Sequence, residues 1–313
     1  MPAGIEAKIG VGRETTWGTG VTSTRWFTAR ENLNEERGRL REAMTFGTRS
    51  TLPGDPGRLR IRETLSDIPG RPQTVGELLR AALGAPQTTG SGPYEHVYVP
   101  AAAKHDALAA LPPYSLTVKR RSDVIDRLTG GQLDSLELRQ PVDEALTLNA
   151  EFIFKSITTG TDEAMTLDAG ERFRYKHLAV TKGGNPFPYL TDLTIQIQNN
   201  LDPEETLNGS DEISAVDFGD KLVVAISGQA TFRDKSLLEE FRAGTAAAWS
   251  FAWTINANTS LEIAVPRLAL DSVSAPIEGP GRITVAWSGT AEFDASEGHE
   301  IEVTLTNDVA TYA

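Results

Sequence analysis

SLEIAVPRLALDSVSAPIEGPGRITVAWSGTAEF, residues 260–293, reads as two β-strands joined by a turn rich in Pro and Gly. Ile283, Val285, Trp287, Gly289, Ala291 and Phe293 fall on one face. Thr284, Ala286, Ser288, Thr290 and Glu292 fall on the other. A period of two marks a strand with one face buried. The pattern stands earlier as well, in SLELRQPVDEALTLNAEFIF at 135–154. There Leu146, Leu148, Ala150, Phe152 and Phe154 alternate with Thr147, Asn149, Glu151 and Ile153. Both strands reach Ala-Glu-Phe, and both follow a leucine-rich strand and a turn containing Pro. Such an echo predicts one supersecondary unit present twice.

Working outward, RFRYKHLAV, LTIQIQNNL, KLVVAISGQATF, WSFAWTINA and EIEVTLTND read as strands of the second half. SLLEEFRAG reads as a short helix, with Ser236 and Glu239 at capping-box spacing and Gly244 as its stop. The first half runs in the same order. RWFTARENL and LRIRETL read as strands, and TVGELLRAALG (74–84) as a helix with a Thr74/Glu77 capping box. Residues 86–113 read as an excursion with one short strand in PYEHVYVP, followed by YSLTVKR and the repeated hairpin. Residues 1–24, rich in Gly and Thr, are expected to form an extended arm, with Trp17 as a local anchor onto the first domain. The division is then 25–157 for a first domain, 158–171 for a linker and 172–313 for a second. The fold class is mainly β, with two tandem sandwich or barrel domains, each carrying a short flanking helix and a long inter-strand loop.

The two long loops differ in charge. Residues 34–60 hold Arg37, Arg39, Arg41, Arg49, Arg58 and Arg60 against Glu35, Glu36, Glu42 and Asp55. Residues 201–220 hold Asp202, Glu204, Glu205, Asp211, Glu212, Asp217 and Asp220, with no Lys or Arg. Loops of opposite sign are complementary across an interface, although two unrelated solvated loops would read the same way.

Composition excludes much. The 313 residues contain no cysteine, which removes disulfides, thiolate nucleophiles and Cys-ligated zinc. No run reaches the length of a membrane span, and MPAGIEAKIGVGRETTWGTG lacks the basic start and apolar core of a signal peptide. The formal charge of −13 argues against tight binding of nucleic acid. The histidines, His96, His105, His177 and His299, show no metal-ligand spacing. No GxSxG, Walker loop or dinucleotide-binding glycine pattern is present. The acidic loop lacks EF-hand spacing, and nothing places two carboxylates in a cleft. No cofactor, metal or catalytic site is expected.

In its order of elements the chain resembles the tail tube proteins of long-tailed bacteriophages. The residues that carry the resemblance are GVGRETTWGTG and PYEHVYVP in the first half. In the second they are LTIQIQNNL, VAISGQATFRDKSLLEEFRAG, LEIAVPRLAL and IEVTLTND. The resemblance covers most of the chain, through short structural motifs. It implies a structural virion protein, not an enzyme, made in the host bacterial cytoplasm. Tail-tube-type sandwich domains would join side by side into rings, and stacked rings would form a tube through which DNA leaves the capsid. The partners it implies are further copies of the chain, the tape measure protein, the tail terminator and the tail-tip proteins. Two domains per chain predict a ring of three chains with six domains, a pseudo-hexamer. Arg37, Arg39, Arg41, Arg49 and Arg58 are then expected to face acids of the neighbouring ring, with Asp202, Glu204, Glu205, Asp211 and Glu212 as candidates. Two other classes fit a β-rich chain. A capsid decoration or receptor- and carbohydrate-binding protein would expose an aromatic patch, for which Tyr94, Tyr98 and Trp253 are candidates. A carbohydrate-active enzyme would need two facing carboxylates.

Overall fold

The computed structural model describes residues 7–41, 51, 53–100, 111–121, 123–277 and 279–312. The first half contributes β1 (Lys8–Arg13), β2 (Arg25–Phe27), β3 (Arg30–Leu40), β4 (Asp55–Pro69), α1 (Pro72–Leu83), β5 (Gln87–Gly90), β6 (Tyr94–Tyr98), β7 (Tyr114–Arg121), β8 (Val124–Pro141), β9 (Thr147–Phe154) and β10 (Ser156–Thr159). The second contributes β11 (Leu178–Lys182), β12 (Asn185–Pro186), β13 (Leu190–Gln198), β14 (Leu201–Glu204), β15 (Ala215–Phe218), β16 (Val223–Thr231), α2 (Ser236–Ala243), β17 (Ala247–Asn256), β18 (Thr259–Ser274), β19 (Thr284–Ala291) and β20 (Glu302–Asn307). The protein is mainly β, and the ladders are antiparallel.

Pairing order repeats element for element. In the first half the ladders run β2-β1-β7-β8-β10 and β3-β4-β9-β8. In the second they run β12-β11-β17-β18-β20 and β13-β16-β19-β18. The sequence echo falls at equivalent points, with Ala150 opposite Leu136 and Ala291 opposite Leu268. It stops at the third residue. Phe152 is buried, whereas Phe293 lies past the end of β19 and is 57% exposed.

β8 and β18 each pass through both sheets of their half, so each must bend. In β8 the bend is at Gly130 and Gly131. Gly130 has φ +67°, and a Cβ on Gly131 would lie 2.2 Å from the Phe154 ring. Only glycine accommodates both demands. In β18 the change of partners falls at Pro266, which sits where neither the β17 nor the β19 ladder pairs it. A proline, which has no N–H to donate, costs no ladder bond there. The cores are aromatic: Trp249 and Trp287 stack at 5.0 Å between centroids, and Tyr114 meets Phe152 edge-on at 6.4 Å.

Several expectations change. Residues 8–13, read as part of an arm, form β1 between β2 and β7, with Ile9 and Val11 buried. Residues 1–6 of that arm lie outside the described residues. Trp17 does anchor the segment: its Nε1–H donates to Gly130 O at 2.9 Å, under Lys155 Nζ at 4.6 Å from the ring. Neither capping box forms. α1 starts two residues early because Pro72 fits the first turn, and Asp168 accepts from Thr74 N and Oγ1, both at 3.2 Å. The stretch read as a linker is thereby docked onto the helix. Residues 175–177 make a 3-10 turn instead of starting a strand. The excursion holds two strands, β5 and β6, which extend the second half through β20. The first long loop is for the most part the β3–β4 ribbon.

Candidate assembly interface

The two halves are joined by strand pairing. Seven residue pairs link β8 to β13, from Ser135 opposite Gln198 to Pro141 opposite Asp192. The sheet therefore runs unbroken through β3-β4-β9-β8-β13-β16-β19-β18. Its inner face is apolar: Leu65, Ala150, Leu136, Ile197, Val224 and Leu268 are all buried. Among the described residues its two outer edges are β3, which pairs only with β4, and residues 269–274 of β18, which pair only with β19. An unpaired strand edge presents free N–H and C=O groups to any strand that fits.

Helix α1 is buried on nearly all sides. It packs on β8 of its own half and on β20 of the other. Asn199 Nδ2–H donates to Ala82 O at 3.1 Å and to Leu133 O at 2.9 Å, so the second half caps the helix end. Tyr312 lies against Gly76, where a Cβ would come within 2.3 Å of the ring, and its hydroxyl accepts from Asn307 Nδ2 at 2.8 Å. His96 ties residues 308–312 down. Nε2–H donates to Val309 O at 2.9 Å, and Nδ1 faces the Thr88 hydroxyl at 2.9 Å. Burial lowers the His96 pKa against the effect of the Val309 carbonyl. Helix α2 holds the equivalent place in the second half, yet only Leu237 of it is buried and Phe241 is 38% exposed.

The charged loops meet within one chain. The β14–β15 hairpin folds over β3 and β4. Arg60 grips Glu205 at two points, Nε to Oε1 at 2.8 Å and Nη2 to Oε2 at 3.2 Å. That guanidinium holds the Glu205 carboxyl below the usual carboxylate range. Arg37 pairs with Asp211. Arg58 donates to Glu212 O, and to Thr206 O at 2.7 Å. Beneath the hairpin, Leu201, Ile213, Ile153 and Leu111 form a small apolar core. Arg39 donates to Gly54 O at 3.2 Å. Arg39, Arg41, Asp202 and Glu204 are exposed and form no ion pair with one another. Arg49 lies outside the described residues. The Arg60 and Lys155 contacts were not among the candidates. Lys155 Nζ is 3.9 Å from Glu212, but in sequence it lies far outside both loops.

One carboxyl is buried near the free β3 edge. Glu63 is inaccessible, and its Oε1 accepts from Asn32 N at 3.2 Å while Oε2 has no partner. Burial, and then the nearby Glu31 carboxylate, push its pKa up to about 8 against the pull of Arg120 and the Asn32 N–H. Arg120 is itself held by Glu31 and Asp126.

Tyr98 and Trp253 are buried, with Tyr98 O–H on Gly76 O at 3.0 Å and Trp253 N–H on Gln140 Oε1 at 3.1 Å, so they make no surface patch with Tyr94. Among the described residues no cluster of His, Asp and Glu could hold a metal ion. His105 lies outside those residues. No described helix is long and apolar enough to cross a membrane.

The family profile described as phage tail tube protein matches residues 4–295, and the chain belongs to that family. No curated protein matches it. The family is structural and non-enzymatic, so this is a viral structural protein of the phage tail.

Proposed function

We propose that the protein assembles into stacked rings of three chains, each ring holding six tube domains around a lumen that passes DNA. The observation that carries this reading is the β8–β13 ladder. Equivalent strands in the two halves have equivalent roles, so β18 is to the second half what β8 is to the first, and β3 corresponds to β13. The joint made once inside the chain would recur between chains, with residues 269–274 of β18 against β3 of the next copy. Three repeats close the circle and consume both free edges of the eight-stranded run.

Three further features support it. Asp271 near one outer edge and Arg30 on the other have opposite signs. α1 is covered by the other half, whereas the matching face of α2 is open and would receive the next chain. The second sheets and helices all lie behind the apolar face of the eight-stranded run. A ring has more room outside than inside, so that bulk belongs outside and the opposite, polar face lines the lumen.

The tube domains are 25–157 and 172–313, with β1 added to the first and 158–171 between them. Rings would stack through the long hairpins. Arg37, Arg58, Glu205, Asp211 and Glu212 brace the hairpins within a chain. Arg39, Arg41, Asp202 and Glu204 are the residues best exposed for the neighbouring ring, with Arg49 alongside them in the sequence. The tape measure, terminator and tail-tip proteins are the partners proposed for the lumen and the two tube ends. Synthesis in the host cytoplasm fits a chain with no cysteine to oxidise. The test uses the cysteine-free background. Cysteines placed singly at 269–274 and at 29–33 should give disulfide-linked chains on oxidation of assembled material. Absence of any such link, in assemblies that otherwise form, contradicts the proposed joint.

A further inference from the structure

Two features stand at opposite ends of the β8–β13 ladder. At the end where Ser135 faces Gln198, β14 follows β13 directly, and the β14–β15 hairpin projects there. Its tip is tied down. Arg58 Nη2–H donates to Thr206 O at 2.7 Å, and Asn208 Nδ2–H donates to Ser214 Oγ at 2.9 Å. Between those ties stands Leu207, fully exposed. A braced tip does not fold its leucine back onto the chain, so that apolar surface stays in water until another molecule covers it. Around it, Glu205, Asp211 and Glu212 are engaged by Arg60, Arg37 and Lys155. Asp202, Glu204, Asp217 and Asp220 are exposed and form no ion pair among the described residues.

At the other end, where Pro141 faces Asp192, lies a cleft of about 400 Å³. Pro141, Val142, Tyr175, Leu178, Phe187 and Leu190 line it, and Val142 is 52% exposed. Cations frame this cleft. Lys176 is exposed beside Tyr175, and Arg172 is exposed on the same segment. Arg233 lies over the Tyr189 ring at 5.6 Å, and that ring meets Phe187 edge-on. Among the described residues none of these three cations has a carboxylate partner. Their sign is felt locally: burial, and then the charges of Lys176 and Arg174, lower the His177 pKa.

We propose that the cleft receives Leu207 of a second copy in the next ring, with Arg172, Lys176 and Arg233 facing the free carboxylates of that copy's hairpin. The proposal rests on the tube reading for its second copy. Seven residue pairs at about 3.3 Å each separate the two ends, so the braced hairpin does not reach its own cleft. A contact between opposite ends is heterologous. Each copy offers its own hairpin onward, and the contact propagates as a stack instead of closing on itself. Burial of the leucine drives the contact, and the opposite charges orient it. The stack then has one direction, with acidic leucine studs on one face of every ring and basic apolar clefts on the other.

The test mixes two single-cysteine chains in the cysteine-free background. One carries Leu207→Cys. The other, tagged to differ in mass, carries Val142→Cys. A short bis-maleimide added during assembly should join the two kinds of chain. Ile277 is exposed and lies at the same end of the sheet as the cleft. Replacing the second chain by an Ile277→Cys chain should cut the yield of mixed dimer roughly tenfold. Equal yields from positions 142 and 277, or no mixed dimer at all, overturn the proposal. If tubes form without the link, the ring reading stands and this contact falls. If no tubes form, the ring reading fails, and the same two yields in concentrated soluble protein decide the contact. Leu207→Ser should leave melting and rings unchanged while lowering the amount of sedimentable tube roughly tenfold. Arg172→Glu with Lys176→Glu should act in the same direction. Tubes as abundant from Leu207→Ser as from wild type overturn the proposal.

Discussion

Leu138 of β8 lies directly opposite Ile195 of β13, and both side chains are buried. This cross-strand pair fuses the two halves into one sheet with one core. Ile195→Ala removes apolar volume that the sheet cannot refill, so it should cost about 2–5 kcal/mol of stability. Urea unfolding should show the loss in both halves at once, read from hydrogen exchange of β16 and β19 for the second half and of β4 and β9 for the first. Loss confined to residues 178–307 would mean that the halves are independent.

Glu63 predicts an unusual pH dependence. Its folded pKa of about 8 lies above the ordinary carboxyl value of 4.5. The proton it keeps stabilises the fold fully below that ordinary value, and the contribution is lost as pH rises through the folded value. Wild type should therefore lose thermal stability as pH rises from the ordinary value of 4.5 to about 8 and level off above it, and Glu63→Gln should lose less. Parallel melting curves across that range would refute the assignment.

The hairpin clamp predicts a charge swap. Arg60→Glu should free β14 and β15, seen as faster hydrogen exchange at 201–218, with little change in global melting. Adding Glu205→Arg should restore protection. A double variant as mobile as the single one would show that the ion pair does not hold the hairpin.

His96 predicts release of residues 308–312 in acid. Its folded pKa is depressed, so the stability it supports is present above the ordinary imidazole value of 6.5 and is lost as pH falls through the folded value. Exchange at 308–312, corrected for intrinsic rates, should rise as pH falls below the ordinary imidazole value and through the depressed folded one. Unchanged protection there would contradict the account.

Much of this is legible in the sequence. The two-fold period at 283–293 and 146–154 names the strands, because one face of each is packed, and the Ala-Glu-Phe echo marks equivalent points of a repeated unit. The opposite charges of the two loops were legible too, but not that Arg37 and Arg60 would meet Asp211 and Glu205 in the same chain. Charge gives a sign, and only the turn at Asn200 (φ +52°) and the ladder at β8–β13 bring these partners together. β1 was missed because Gly10 and Gly12 dilute its apolar signal. Those glycines are needed, since a Cβ on Gly12 would lie 2.3 Å from Thr22 O. The Thr74/Glu77 box fails for a tertiary reason: Asp168, far away in sequence, accepts from both Thr74 N and Thr74 Oγ1. At Ser236 the cause is local, since Asp234 accepts from Ser236 N.

Cryo-electron microscopy of assembled tubes tests the central claim most directly. The account predicts rings with three-fold symmetry and a six-lobed outline, each ring containing three chains of 33.8 kDa. Density should run continuously from residues 269–274 of one chain into β3 of the next, as it does from β8 into β13. Six chains per ring, or rings in which the β3 edge stays unpaired, would contradict it.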